Sequence, residues 1–251
     1  MIEINNIQKS FDGKVILDGI SGTFDKGRTN LIIGASGTGK TVLLKCIVGL
    51  IHPDVGDVVY DGRDFTHADR DLKTEIRREI GMLFQGGALF DSKTVEENVM
   101  FPLNVLTKMA PDEKLDRVNF CLQKVGLENV NTKMPSEISG GMKKRVGIAR
   151  AIVNNSQYLF CDEPNSGLDP QTAILIDNLI KEITVEFDIT TIVVTHDMNS
   201  VMEIGDYIMF MYKGLKIWEG NNDDIIDAEP KELQEFLFAN KLVRTMKENL
   251  S

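Results

Sequence analysis

The residues that suggest chemistry most directly lie in "GASGTGKT", between a short apolar run and an apolar, helix-like stretch. Glycines leave backbone N–H groups free to close around phosphate oxygens, and the start of the following helix adds partial positive charge. A lysine at this spacing reaches the outer phosphates, and the hydroxyl beside it can hold Mg²⁺. The stretch therefore predicts a phosphate-binding loop made of Gly34, Ala35, Ser36, Gly37, Thr38, Gly39, Lys40 and Thr41.

Acidic and imidazole side chains follow two other strand-like runs, at the edge where an α/β sheet places its ligands. Asp162 and Glu163 end "YLFCDE". Asp162 is a candidate to hold Mg²⁺ through water, and Glu163 is a candidate to deprotonate an attacking water. His196 follows "TTIVVT", and we expect it to face the same crevice. Solvated carboxylates and a structural histidine are the alternatives.

Gln85 and Phe11 are weaker candidates. Gln85 follows the strand-like "IGMLF", so its amide can reach Mg²⁺ or the attacking water, although glutamines at strand ends are common. Phe11 can stack on a purine, although a lone phenylalanine usually belongs to a core.

A second stretch, "SEISGGMKKRV", also looks suited to an anion. Glycine in a helix costs about 1 kcal/mol relative to alanine, so two in a first turn need a reason. Ser139 could be an ordinary helix cap, but a cap does not explain Gly140 and Gly141, and Met142 completes no capping box. Free glycine N–H groups beside a hydroxyl predict a second anion site, whose phosphate must come from elsewhere.

The elements that must position these residues alternate between strand and helix at both ends of the chain. Alternating apolar and polar residues predict an N-terminal antiparallel hairpin, and short β-branched runs predict buried parallel strands. Residues 86–155 favour helices, punctuated by Pro102, Pro111 and Pro135. The pattern predicts an α/β fold with an inserted α-helical part. From residue 229 to 251 it predicts an amphipathic helix with one apolar face: Leu233, Phe236, Leu237, Val243 and Met246.

Composition narrows the possible partners. The chain has 251 residues and a net charge of -10, which argues against sequence-independent nucleic-acid binding. Its three cysteines show no metal-like spacing and are expected to be small buried hydrophobes. The longest apolar run is about half a membrane span and contains Lys45, so we expect a cytoplasmic protein whose membrane work needs a partner.

In order, "GASGTGKT", "LFQ", "ISGGMKKR", "YLFCDEP", "SGLD" and "VTHD" resemble the ATP-binding subunits of ABC transporters. The resemblance covers residues 1 to about 220 and implies a P-loop NTPase core of the RecA-like type. It implies ATP and Mg²⁺ as ligands, the latter held by Thr41, Gln85 and Asp162. A nucleotide-binding domain over residues 1–228 and a transmembrane permease as partner are also implied.

The same resemblance supplies a partner for the glycine-rich helix start. In that family two chains dimerise head to tail, which implies that Ser139, Gly140 and Gly141 contact the γ-phosphate bound by the neighbour. Phe11 matches the aromatic residue that stacks on adenine, and Gln85 the glutamine that senses Mg²⁺ and the membrane partner. Asp169 matches the loop that couples the two sites, and His196 the γ-phosphate switch. Three positions depart from the family pattern: Ile138, Cys161 and Asn165.

A narrower resemblance concerns "FQGGALF" and "GGMKKRV", which are similar to the ATPases of Mla-type lipid transport systems. It implies phospholipid transport between bacterial membranes, with a permease, a periplasmic MCE-domain protein and an accessory subunit as partners. The protein would then lie on the inner face of the cell membrane through the permease. An importer of amino acids or other small solutes is the alternative. The net charge of -10 fits a translation or DNA-repair ATPase poorly. A GTPase would need an N-K-x-D motif, which this sequence lacks.

Overall fold

The computed structural model describes residues 1–238. Its strands are, in chain order, β1 Ile2–Phe11, β2 Lys14–Phe24, β3 Thr29–Ile33, β4 Val55–Tyr60, β5 Arg63–Asp64, β6 Ile80–Leu83, β7 Tyr158–Asp162, β8 Thr190–Thr195, β9 Tyr207–Tyr212 and β10 Leu215–Gly220. Its helices are α1 Lys40–Ile47, α2 Arg70–Arg78, α3 Val95–Leu106, α4 Pro111–Lys124, α5 Gly140–Ile152, α6 Pro170–Glu186, α7 Met198–Ile204 and α8 Lys231–Phe238.

The first sheet is antiparallel, with its strands in the order β2-β1-β4-β5. In β1 the side chains of Ile2, Ile4 and Ile7 are buried, because successive residues of a strand point to opposite faces. This confirms the predicted N-terminal antiparallel part.

The second sheet has the order β10-β9-β3-β8-β7-β6. From β9 to β6 all neighbouring strands are parallel, and β10 forms an antiparallel hairpin with β9. β3, β7 and β8 are buried along their whole length, which is typical of parallel strands covered on both faces. The predicted α/β core is confirmed.

Two apolar cores lie on opposite faces of this sheet. Leu31 and Ile33 of β3 pack into a core with α3 to α8, whereas Ile32 packs into a core with α1 and the antiparallel sheet. The alternation along a single strand thus separates the helical layer from the β layer.

Helices α3, α4 and α5 lie between β6 and β7, within the stretch predicted to be helical. Pro111 is the first residue of α4 and Pro135 opens a short 3₁₀ turn, but Pro102 lies inside α3 and does not interrupt it. A capping box formed by Thr94 and Glu97 and the burial of Leu103 hold α3 together despite the missing N–H.

The first part of the predicted C-terminal helix is α8, and it packs on its own chain. Leu233 and Leu237 are buried in the helical-side core, and the Phe236 ring lies 5.4 Å from that of Phe210. An apolar stripe indicates that a face is buried but not what covers it; within residues 231–237 this chain's own core covers it. Val243 and Met246 lie outside the described residues.

No helix within residues 1–238 has the length and apolar character needed to cross a membrane. Cys46, Cys121 and Cys161 are buried with free thiols, as expected from their apolar neighbours. Burial raises the pKa of Cys46 and of Cys121 to about 11, so these thiols stay protonated near neutral pH.

Candidate functional site

Four of the predicted functional segments meet at one edge of the parallel sheet. The phosphate-binding loop follows β3, His196 follows β8, Asp162 ends β7 and Gln85 follows β6. These strands are neighbours in the order β3-β8-β7-β6 and all run in one direction. Their carboxyl ends therefore form the crevice in which parallel α/β sheets bind ligands.

Two glycines shape the phosphate-binding loop by conformation and by lack of a side chain. Gly34 has a φ of +145°, and a Cβ there would lie 2.3 Å from the Met211 carbonyl oxygen. Gly39 has a φ of +101°, and its Cβ would lie 3.0 Å from the Ile16 carbonyl oxygen. An L side chain at either position would be strained; at Gly34 it would also collide with the Met211 backbone, and at Gly39 it would crowd the Ile16 carbonyl.

The Lys40 ammonium is folded back onto this loop. It donates hydrogen bonds to the carbonyl oxygens of Gly34, at 2.8 Å, and Ala35, at 3.0 Å. Lys40 is only 6% exposed. Burial lowers its pKa, while the nearby carboxylates of Glu163 and Asp162 act in the opposite direction. A cation held this way is placed to exchange its carbonyl partners for phosphate oxygens.

Thr41 and Asp162, two of the predicted Mg²⁺ ligands, are in direct contact. The Thr41 hydroxyl donates to Asp162 Oδ1 at 3.2 Å. Burial raises the pKa of Asp162, and the Thr41 hydrogen bond opposes this effect. A hydroxyl and a buried carboxylate form a hard-oxygen donor set of the kind that Mg²⁺ prefers. The residues present therefore fit the metal that the motifs imply.

Glu163 and His196 also meet. His196 Nδ1 lies 2.9 Å from Glu163 Oε1 and 2.7 Å from Oε2. Glu163 has a φ of +49°, which is uncommon for a residue with a side chain. Its N–H donates to the Val194 carbonyl of β8, so the turn after β7 is fixed against the strand that leads to His196. The predicted base and the predicted switch residue thus form one pair.

Gln85 is connected to this group through its backbone carbonyl. The connecting residue is Lys144, which was not predicted from the sequence. The Gln85 side chain is exposed, and its carbonyl oxygen accepts a hydrogen bond from the Lys144 ammonium. Lys144 is 6% exposed and its ammonium also lies 3.5 Å from the Glu163 carbonyl oxygen. The available signal was that Lys144 lies on the apolar face of α5, one turn before Ile148.

The predicted second anion site is elsewhere on the chain. The Ser139 side chain accepts from the Met142 N–H at 3.2 Å, so Ser139 is indeed the cap of α5. A first helical turn leaves the N–H groups of Gly140 and Gly141 without intrahelical partners. Within residues 1–238, no hydrogen bond or ion pair joins this turn to the phosphate-binding loop.

Asp169 lies beside that turn, at the start of α6. It caps α6 through the Thr172 N–H, at 3.0 Å, and the Thr172 hydroxyl, at 2.6 Å. These hydrogen bonds lower the pKa of Asp169. A Cβ on Gly141 would lie 2.6 Å from Thr172 Cγ2, which shows how closely α5 approaches α6.

Phe11 ends β1 and is 42% exposed, so it is not part of a core. The Lys9 ammonium lies 5.4 Å from its ring centroid. An exposed ring at a strand end is available for stacking, although the contacts of the described residues do not join it to the loop, so its adenine-stacking role stays a prediction.

Comparison with known proteins shows that the chain belongs to the ABC transporter family. The family described as ABC transporter matches residues 17–166. The probable ribonucleotide transport ATP-binding protein mkl of Mycobacterium tuberculosis is 37% identical over 236 residues, which are 94% of this chain and 66% of that protein. The intermembrane phospholipid transport system ATP-binding protein MlaF of Haemophilus influenzae is 35% identical over 237 residues, which are 94% of this chain and 90% of MlaF.

A similar solved structure is also an ATP-binding cassette. It is the dimeric, post-hydrolysis state of the ATP-binding cassette MJ0796 bound to ADP and Pi. It superimposes with a TM-score of 0.80 at 33% identity, over 88% of this chain and 99% of that one. The chain thus spans about two thirds of mkl, at 66%, and nearly the whole of the cassette.

Proposed function

Because the chain belongs to the ABC transporter family, we propose that it is the ATP-hydrolysing motor subunit of a membrane transporter. ATP hydrolysis coupled to transport is the activity that the family and the cassette bound to ADP and Pi support. One observation carries the assignment of roles: Lys40, Thr41 and Asp162 lie together beside the phosphate-binding loop, next to the Glu163–His196 pair.

The geometry suggests how the chain's own residues act. Lys40 neutralises charge on the outer phosphates, and Thr41, Asp162 and Gln85 hold Mg²⁺, which supplies charge stabilisation when bound. Glu163 accepts the proton of the attacking water. His196 orients Glu163 and, through its exposed ring, is placed to contact the γ-phosphate.

A second copy of the chain completes each site in this proposal. Ser139 and Gly140 are exposed, so the N-terminus of α5 lies at the surface. Its free N–H groups and partial positive charge are suited to an anion. They would bind the γ-phosphate on the neighbour, while Asp169 beside them couples the two sites and Phe11 stacks on adenine. The dimeric cassette that resembles this chain supports the arrangement.

An apolar surface supports a membrane permease as the partner. A cavity of about 440 Å³ lies between β6 and α3 and is lined by Phe84, Ala88, Phe90 and Phe101, among others. The three phenylalanines are 38% to 40% exposed, and such clusters mark protein interaction sites. A cytoplasmic segment of the permease is the occupant we propose, which holds the motor at the inner face of the cell membrane.

Phospholipid is the cargo we propose, moved between bacterial membranes. The support is the similarity to MlaF over 90% of its length, together with the "FQGGALF" stretch that contributes to the cavity. A periplasmic MCE-domain protein and an accessory subunit belong to this proposal. The runner-up is import of amino acids or other small solutes; the similarity to mkl supports a small solute as cargo, because mkl is named for ribonucleotide transport.

The cargo can be tested with the chain co-purified with its permease partner and placed in liposomes. If phospholipid is the cargo, ATP turnover should rise with added phospholipid, and fluorescent phospholipid should leave the liposomes only with ATP. Stimulation by a soluble amino acid or ribonucleotide, with none by phospholipid, would contradict the lipid proposal and favour the small-solute importer.

A further inference from the structure

Helix α5 carries two buried cations whose partners are backbone carbonyls. Lys144 donates to the Gln85 carbonyl oxygen and lies 3.5 Å from that of Glu163. Arg150 donates to the carbonyl oxygens of Gly87 and Ala88, each at 2.7 Å. Within residues 1–238, no carboxylate forms an ion pair with Lys144 or Arg150.

Burying these two cations costs free energy, which indicates that their hydrogen bonds to the carbonyls serve a purpose. Lys144 and Arg150 are 6% and 9% exposed, and burying a cation without a carboxylate partner is unfavourable. Burial lowers the pKa of both groups. An apolar side chain would fill the same space at lower cost, so the hydrogen-bond donors themselves are the useful feature.

The face of α5 between these cations fits the segment that contains Gln85. Gly147 lies three residues after Lys144 and three before Arg150, so all three share a helix face. A Cβ on Gly147 would lie 2.6 Å from Leu83 Cδ1 and 3.7 Å from the Gly87 carbonyl oxygen. The segment from residue 83 to 88 therefore lies directly on α5.

Lys144 differs from Arg150 because it joins two segments. Gln85 follows β6 and Glu163 follows β7, and Lys144 brings one ammonium to both backbones. The same helix begins at Gly140, little more than one turn before Lys144. One short stretch of α5 therefore connects its exposed N-terminus to the backbone of two residues proposed to act in hydrolysis.

We infer that Lys144 is a positioning residue for hydrolysis: it ties the first turns of α5 to the backbones of Gln85 and Glu163. The inference rests on the proposed function, in which the start of α5 engages a neighbouring chain's nucleotide. Engagement at one site then holds Gln85 and Glu163 of the same chain in register for the other site. Lys144 is buried and its ammonium donates to backbone carbonyls, so its effect should fall on the rate of hydrolysis and not on ATP binding.

The test compares full-length Lys144→Met with Lys144→Arg and with Lys133→Met. Methionine keeps the length and apolar bulk of the side chain but removes its donors, whereas arginine retains them. Lys133 is an exposed lysine of the same helical insert, so it controls for loss of a charge. Steady-state ATP turnover is measured beside thermal unfolding of each variant.

We expect Lys144→Met to lower kcat by about 10- to 100-fold, since small misplacements of reacting groups cost that much. KM should stay within about twofold, because nucleotide binding is untouched. Lys144→Arg should recover most of the lost kcat, and Lys133→Met should match the unmodified chain. A Lys144→Met variant with normal kcat would overturn the inference. So would equal losses of kcat in the methionine and arginine variants that track their melting temperatures, because the role would then be structural.

A second measurement separates this inference from the proposed function. On a Glu163→Gln background, Lys144→Met should still dimerise with ATP, as Glu163→Gln alone does. If Glu163→Gln alone fails to dimerise with ATP, the shared-site proposal fails and takes the inference with it. If only the double variant fails, Lys144 acts in binding and the positioning role is wrong.

Discussion

The starts of α1 and α5 are both rich in glycine and suited to an anion, yet they differ in burial and in the side chains around them. At α1, Thr38 and Lys40 are 7% and 6% exposed, and the lysine hydrogen-bonds the loop carbonyls. At α5, Ser139 and Gly140 are exposed, and the serine caps only its own helix. The first start is surrounded by lysine, carboxylates and histidine of the same chain, whereas the second is open to solvent.

The difference shows that a helix N-terminus alone is not a complete site for nucleotide hydrolysis. In the proposed function, the α1 start has a cation for phosphate charge and carboxylates for metal and water, so one chain supplies the chemistry. The α5 start supplies N–H donors and a hydroxyl, and within residues 1–238 no side-chain cation or carboxylate is hydrogen-bonded to its first turn. We therefore propose that it covers a site built by another chain.

Removing the α1 cation should have the largest effect. Lys40→Ala should lower ATP turnover by about 10²- to 10³-fold, the loss typical of a group that stabilises transition-state charge, and should weaken nucleotide binding. The control is Lys26→Ala, because Lys26 forms an exposed ion pair with Asp188 on the surface. Phosphate release from the purified chains measures the effect. Turnover of Lys40→Ala equal to that of Lys26→Ala would end the ATPase assignment.

A methyl group distinguishes the two glycines at the α5 start. A Cβ on Gly141 would lie 2.6 Å from Thr172 Cγ2, whereas one on Gly140 would lie 3.6 Å from Leu168 Cδ2. Gly141→Ala should therefore lower the free energy of unfolding by about 1–3 kcal/mol, an ordinary cost of overpacking. Gly140→Ala should change it by less than about 0.5 kcal/mol. Chemical denaturation measures both.

The contact itself can be checked by a rescue. Thr172→Ser removes Cγ2 and keeps the hydroxyl that hydrogen-bonds Asp169, so it should restore the stability of Gly141→Ala. If the double variant is as unstable as Gly141→Ala alone, the close packing of α5 on α6 is not the cause.

The smallest effect concerns one aspartate from each region. Burial raises the pKa of Asp162 in the folded chain, so ionised Asp162 opposes folding. Asp162→Asn should raise the melting temperature of the nucleotide-free chain at neutral pH by about 2–4 °C, for a gain of about 1 kcal/mol. This advantage should shrink as pH falls through the raised pKa, because Asp162 then becomes neutral as well. Asp162→Asn should also abolish stabilisation by Mg²⁺ with ATP.

Asp169→Asn is the matched control for that experiment. Asp169 is an exposed helix cap and asparagine caps nearly as well, so the melting temperature should barely change at neutral pH. Hydrogen bonds lower the pKa of Asp169, so the stability it contributes is present above its unfolded pKa and lost as pH falls through the lower, folded one. Calorimetry of both variants from pH 4 to 8 gives the comparison. Equal responses of the two variants would contradict the contrast in burial.

Much of the α1 region was predictable because it depends on chain order. Buried β-branched runs followed by glycine, acid or histidine mark the carboxyl edge of a parallel sheet, and that placed Lys40, Asp162 and His196 together. The α5 region was less predictable because its contacts are long-range. The place of Lys144 on the apolar face of α5 indicates burial, but no local pattern indicates that it donates to the Gln85 carbonyl or that Gly141 packs on Thr172.

The central claim is that the α5 start completes the site of a second chain. Its most direct test pairs a Lys40→Ala subunit with a Gly140→Asp subunit, both also Glu163→Gln so that bound ATP persists. Gly140 is chosen because it is exposed and its Cβ has room, whereas a side chain at 141 would disturb α6. One composite site then carries both defects, and the other has an intact loop and an intact α5 start.

Mixed dimers are isolated through two different affinity tags, and the ATP retained after rapid desalting is measured. The account predicts about one ATP per mixed dimer, because a two-fold dimer has two equivalent composite sites and one is intact. Each variant alone should retain essentially none. If the α5 start serves its own chain, both subunits of the mixture are damaged. A mixed dimer shown by cross-linking to have formed, yet empty of ATP, would contradict the account.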